Sequence, residues 1–140
     1  LLLRLLERDS PRLPRLLALI DAHLLSPHGL RSLAPGDPLY RRENAPGDAP
    51  YWRGAIWMNV NYLALGALRH YGDGDGDAAR AAARLYARLR ANLLRAVIGE
   101  WAKTGALYEQ YDDRTGRGMR SHPFTGWTAL ILNIAAEEYD

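Results

Sequence analysis

No cysteine occurs among the 140 residues. That excludes a disulfide framework and any cysteine-based metal site within the chain. No run of 18 or more apolar residues is present, so nothing in the sequence reads as a membrane-spanning helix. Histidines are few. His23, His28, His70 and His122 form no HxxxH or HxH pair, so no metal is expected. There is no glycine-rich phosphate loop and no serine nucleophile elbow. The run Asp73-Gly74-Asp75-Gly76-Asp77 looks like a calcium loop but fails its test. The sixth position is Ala78 instead of glycine and the twelfth is Arg84 instead of glutamate, so the run reads as a solvated turn.

What is present bounds the rest. At 140 residues the chain is one domain at most, or a piece of a larger one. Leu1 opens it inside an apolar helical pattern, Leu1-Leu2-Leu3-Arg4-Leu5-Leu6, which leads us to expect the natural N-terminus upstream. A hydrophobic fraction of 48% is enough to build a core. The net charge of +2 conceals many arginines. Arg80, Arg84, Arg88, Arg90 and Arg95 alternate with Ala and Leu, the pattern of a solvated helix face, and no nucleic-acid partner is expected.

Ser10-Pro11 reads as a helix cap and first turn, with Leu13, Leu16, Leu17, Ile20 and Leu24 at helical spacing up to Ser26-Pro27. Residues 26–50 hold five prolines and three glycines and no periodicity, so they form a long loop. The spacing predicts helices over Gly54–Tyr71, over Ala78 to about Lys103 with Asp77 as its cap, and from Gly126 to Tyr139. Strand signals are sparse. Long and short connections alternate, as in a toroid of helical hairpins, although four helices also make a small bundle.

Three aromatic knots punctuate these helices. In the first, Pro50 sets an extended entry to Tyr51-Trp52-Arg53-Gly54 and Gly54 permits a close approach. Trp52 and Trp57 are stacking platforms or core, and Arg53 can read hydroxyls or pin a carboxylate. Asn59 and Asn61 lie two apart and cannot share a helical face, so at most one serves a ligand. In the second knot, Glu109 sits between Tyr108 and Tyr111 before a polar turn. It is a general base or acid in an aromatic pocket, or a surface glutamate. In the third, Trp127 opens a helix after Pro123 and either borders a site or fills core.

Taken together these segments resemble the C-terminal part of glycoside hydrolase family 63, the processing α-glucosidases. The resemblance runs over nearly the whole chain. It rests on residues 26–33 (Ser-Pro-His-Gly-Leu-Arg-Ser-Leu), on residues 50–54 with Trp57 and 59–66, and on Glu109-Gln110-Tyr111 with Gly116-Arg117-Gly118. Pro123-Phe124, Gly126-Trp127-Thr128 and Glu137-Glu138-Tyr139 complete it.

The resemblance implies an all-α chain, residues 1–140 forming the C-terminal portion of an (α/α)6 toroid. It implies removal of the terminal α-1,2-linked glucose from the triglucosylated N-glycan precursor in the endoplasmic reticulum, with inversion and without a cofactor. A membrane anchor, if any, lies outside this segment. Inversion needs two carboxyl groups about 6.5–9.5 Å apart. Glu109 falls at the family's base. Tyr51, Trp52, Arg53, Trp57, Asn59, Tyr108, Tyr111 and Trp127 are the expected substrate contacts. No match to the family's general acid occurs, since Asp21, Asp37 and Asp48 stand in other contexts. The chain taken alone is therefore expected to be inactive and poorly stable. A non-catalytic sugar-binding module, a purely structural helical domain and an α-glucosidase of other specificity are the competing readings.

Overall fold

The computed structural model describes residues 1–2 and 4–139. Its frame is a helical hairpin. α2 (Met58–Gly72) and α3 (Asp77–Thr104) are joined by the exposed Asp73–Gly76 turn and pack along their lengths. α2 contributes Ala64, Leu65 and Leu68 to the seam, and α3 contributes Ala82, Leu85, Leu89 and Leu93, each at most 3% exposed. Burial of each such leucine is worth about 1.5–3 kcal/mol relative to exposure. Four of the five arginines of α3 behave as the charge pattern suggests. Arg80, Arg84, Arg88 and Arg95 are exposed, while Arg90 turns inward. Its Nε and Nη2 donate to the Ile134 and Ala135 carbonyls at 3.0 and 2.8 Å. There a cation meets the negative end of α4 (Ile131–Ala136).

α1 (Leu13–Leu19) lies on α3 and ends in a wider turn, Ile20–Leu24, where the Leu25 amide reaches the Ile20 carbonyl. The helix starts two residues later than the Ser10-Pro11 pattern suggests, with Arg12 instead of Ser10 at the cap position. The Leu13 amide then bonds the Ser10 carbonyl in a preceding turn. Asp77 likewise stands inside α3, not at its cap. Gly76 holds the cap position at φ +95, and Asp77 pairs with Arg80 instead. Gly105 ends α3 in the left-handed region, as its position predicts.

The largest departure concerns α2, which begins at Met58 instead of Gly54. Gly54 adopts φ +123, with the Tyr40 ring so close that a Cβ would lie 2.6 Å from Cε2. The next residues are extended. Ile56 exchanges backbone hydrogen bonds with Tyr111 at 2.9 and 3.0 Å and bridges Arg31 on its other side. A long-range pairing thus overrides local helical tendency.

Two short hairpins cross the same end of the helices. β1 (Leu25–Ser26) pairs with β2 (Gly29–Leu30), and β3 (Gln110–Tyr111) pairs with β4 (Gly118–Met119), both antiparallel. The last helical stretch opens as a tight turn at Trp127–Leu130 before α4, which ends at Ala136 with Glu137 as its cap, short of the expected Tyr139. No helix among the described residues is long and apolar enough to cross a membrane.

Candidate active site

Asn61 ties the long loop to the start of α2. It is fully buried on the first turns of α2. Its Oδ1 accepts from the Leu30 amide at 2.8 Å, and its Nδ2 donates to the Leu30 and Trp57 carbonyls at 3.1 and 2.8 Å. Both ends of the amide are thus spent on tying the loop and the helix start together. Of the two asparagines, Asn61 is the structural one. Asn59 is half-buried and accepts from the Val60 amide at 2.9 Å.

A buried ionic cluster locks the long loop to the β3–β4 hairpin. Asp113, fully buried, accepts from Arg31 Nε at 2.6 Å, Tyr40 Oη at 2.5 Å and Arg41 Nη1 at 2.8 Å. Arg41 Nη1 also donates to Asp112 Oδ2 at 2.8 Å. Asp112 Oδ1 takes the Arg114 and Thr115 amides, both at 2.9 Å. Burial alone would raise the Asp112 pKa. The Arg41 guanidinium and the two amides overcome it and hold the carboxyl at about 2.

Glu109 immediately precedes β3 and is 8% exposed. Its backbone is fixed from three sides. Its amide donates to the Ser121 carbonyl at 3.0 Å, its carbonyl accepts from Trp127 Nε1 at 2.7 Å, and Thr128 Oγ1 donates to the adjacent Tyr108 carbonyl at 2.6 Å. Its Oε1 accepts from Tyr51 Oη, and its Oε2 from the Ser121 amide at 3.4 Å. The Tyr51 hydroxyl holds the carboxyl below the ordinary value, helped by Ser121 and the Arg120 charge, against the opposing effect of burial. The same bond, together with burial, raises the Tyr51 phenol. The result is an oriented, ionised carboxylate, the form required of a general base.

The aromatic residues sort into two kinds. Trp52, 46% exposed, stacks on Trp57 with ring centroids 3.8 Å apart and planes at 13°. Trp57 is 1% exposed, with Tyr51 edge-on at 4.7 Å and Trp127 at 5.6 Å. Trp57 is therefore the buried backing of the stack and Trp52 offers the outward face. Tyr108 is half-buried and lies against Gly118 and His122. Tyr111 is buried, and its hydroxyl accepts from the Tyr108 amide at 3.3 Å. Burial pushes its phenol up to about 12. Tyr51, Trp52, Trp57, Glu109 and Trp127 thus converge. Arg53 turns the other way, its Nη1 donating to the Arg42 and Glu43 carbonyls.

Residues the sequence pattern did not single out are Arg120, Ser121 and Asp113. Their signals are tertiary, as each acts on a partner distant in the chain. Among the described residues no three His, Asp or Glu side chains gather as metal ligands.

Residues 1–137 match the family described as the glycosyl hydrolase family 63 C-terminal domain. The chain is 44% identical over 138 residues to mannosyl-oligosaccharide glucosidase GCS1 of Arabidopsis thaliana, covering 97% of this chain and 16% of that protein. It is 43% identical over 143 residues to a probable mannosyl-oligosaccharide glucosidase of Schizosaccharomyces pombe, covering 99% and 17%. Among solved structures, a GH63 mannosylglycerate hydrolase of Thermus thermophilus in complex with glucose superposes with a TM-score of 0.61 at 26% identity, over 91% of this chain and 28% of that one. The chain thus spans about a sixth of the length of these curated relatives. Over that span the sequence and the helical fold agree, and the chain belongs to glycosyl hydrolase family 63, within its C-terminal domain.

Proposed function

We propose that this chain is the base-bearing portion of an inverting α-glucosidase. It would remove the terminal α-1,2-linked glucose from the triglucosylated N-glycan precursor in the endoplasmic reticulum. The observation that carries the reading is the state of Glu109, a largely buried carboxylate kept ionised by Tyr51 and Ser121 beside half-exposed indoles. A retained negative charge suits activation of water and not protonation of a leaving group, which calls for a raised pKa. The name of the Arabidopsis relative, mannosyl-oligosaccharide glucosidase, supports the choice of substrate.

In this reading Trp52 covers the apolar face of a glucose ring, with Trp57 as its rigid support. Trp127 and Tyr51 border the ring, Tyr108 and Tyr111 shape the wall, and Asn59 contributes at the rim, while Arg53, expected at the site from sequence, instead braces the loop through the Arg42 and Glu43 carbonyls. The general acid comes from outside these residues. Residues 1–140 supply helices to an (α/α)6 toroid. Support for that comes from Leu63, Ile98, Trp101 and Leu132, large apolar side chains 43–70% exposed on α2, α3 and α4, which helices of the remaining toroid would cover. No cofactor or nucleic acid takes part, and any membrane anchor lies elsewhere.

Proton NMR of the intact protein acting on the α-1,2-linked glucose disaccharide tests the reading. Inversion releases β-glucose first. Release of α-glucose first contradicts it. A second reading, hydrolysis of another α-glycoside, draws on the Thermus neighbour, named a mannosylglycerate hydrolase. Cleavage of mannosylglycerate, with no glucose released from the disaccharide, decides for that alternative.

A further inference from the structure

Arg120 follows β4 and occupies the left-handed region at φ +67. A non-glycine residue held there is uncommon and marks a position fixed by its surroundings. Its guanidinium spans the gap between the hairpin and the long loop. Nη2 donates to the Ala49 carbonyl at 2.6 Å and the Pro50 carbonyl at 3.3 Å. The guanidinium carbon lies 5.1 Å from the centre of the Tyr51 ring, in cation–π range. The Gln110 amide, oriented with its oxygen toward Arg120, accepts from Nε at 3.3 Å and donates to the Tyr51 carbonyl at 3.2 Å. The carbonyls on either side of the Tyr51 α-carbon, those of Pro50 and of Tyr51 itself, are therefore fastened by one arginine and the glutamine it touches.

We propose that Arg120 is a positioning residue for the general base: it fixes the Pro50–Tyr51 segment and keeps its cation over the Tyr51 ring, so that the Tyr51 hydroxyl stays on Glu109. The inference rests on the glucosidase reading of Glu109. Its physical content is separable from it, because the pairing of Tyr51 with Glu109 exists without substrate. Tyr51 from the loop and Ser121 from the segment after β4 touch the carboxylate, and Arg120 lies over the Tyr51 ring. Trp127 reaches only the Glu109 backbone, and Tyr108 and His122 pack on each other at 4.7 Å.

The experiment compares Arg120→Gln and Arg120→Lys in the intact protein. Its substrate is the α-1,2-linked glucose disaccharide, and kcat, KM and the pH profile are read together. The acid limb of kcat/KM reports the base in the free enzyme. Arg120→Gln is expected to lower kcat roughly ten- to hundred-fold, the scale of a displaced catalytic group. KM should change little, and the acid limb should move to higher pH. Arg120→Lys keeps the charge and loses the fork, so its limb stays near wild type while kcat still falls. An unmoved limb in Arg120→Gln, or a rise in KM alone, overturns the proposal. In parallel, carbodiimide labelling of Glu109 across pH, read by peptide mass spectrometry, follows the carboxyl without turnover. If wild type cleaves no glucoside, the functional reading fails. The proposal then stands or falls on whether Arg120→Gln shifts the labelling midpoint upward.

Discussion

Tyr51 and Glu109, 58 residues apart, meet through one hydrogen bond from phenol to carboxylate. Each is held by a different device. Tyr51 hangs from a loop pinned by the Asp113 cluster and Arg120, and Glu109 sits on a hairpin buttressed by Trp127 and Ser121. Both devices must be in place for the bond to form, so the site reports on the packing of the whole end of the helical hairpin.

Tyr51→Phe deletes the donor and keeps the ring. Because the tyrosine hydroxyl is the main influence lowering the Glu109 pKa, its loss lets that pKa rise. The carboxylate is then protonated over a wider range of acidic pH. The acid limb of kcat/KM moves to higher pH, and activity near neutral pH falls less than activity at about pH 5. A profile that scales down uniformly, with its limb in place, would contradict the assignment.

Asn61→Ala removes three buried hydrogen bonds at once and strands the Leu30 amide, the Leu30 carbonyl and part of the Trp57 carbonyl's pairing. The expected cost is roughly 2–4 kcal/mol, the scale of buried groups left without partners. Chemical denaturation of the intact protein checks it. Asn59→Ala should cost well under half as much, since its side chain reaches only the neighbouring amide.

Asp112 supplies a pH signature. Its carboxyl titrates at about 2 in the folded chain against an ordinary value of 3.8, so the unfolded chain binds a proton first as the pH falls. Stabilisation from this group is complete above about pH 4 and is lost as pH drops toward about 2. Stability of wild type measured between about pH 5 and 2 should fall more steeply than that of Asp112→Asn. Parallel curves would show that Arg41 does not hold the carboxylate.

Gly118→Ala tests the close packing beneath Tyr108. A Cβ there would lie 2.1 Å from Cγ and Cδ2 of the Tyr108 ring. The ring must move, at a cost of about 1–3 kcal/mol for overpacking. Because Tyr108 adjoins Glu109, thermal stability and kcat are expected to fall together. Unchanged melting would mean that the ring is not held against the strand.

The long helix is legible in the sequence because it follows local rules. The Ala/Leu stripe places α3 to within a residue at each end, 77–104 against an expected span of 78 to about 103. The family motifs lead the sequence reading to Glu109, whose catalytic role is a proposal. What is illegible is long-range. The extended Gly54–Trp57 segment is dictated by Tyr111, and Asp113 finds Arg31, Tyr40 and Arg41 more than 70 residues away. Trp52 and Trp57 read alike in sequence. Only the stack distinguishes the exposed platform from its buried support.

Glu109→Gln in the intact protein tests the central claim most directly. Glutamine keeps the shape of the side chain and removes its charge. The account predicts turnover of the α-1,2-linked glucose disaccharide lower by about 10²–10⁴-fold, the range for loss of a general base. Oligosaccharide binding, measured by calorimetry, should be retained. Turnover equal to wild type would remove Glu109 from the mechanism.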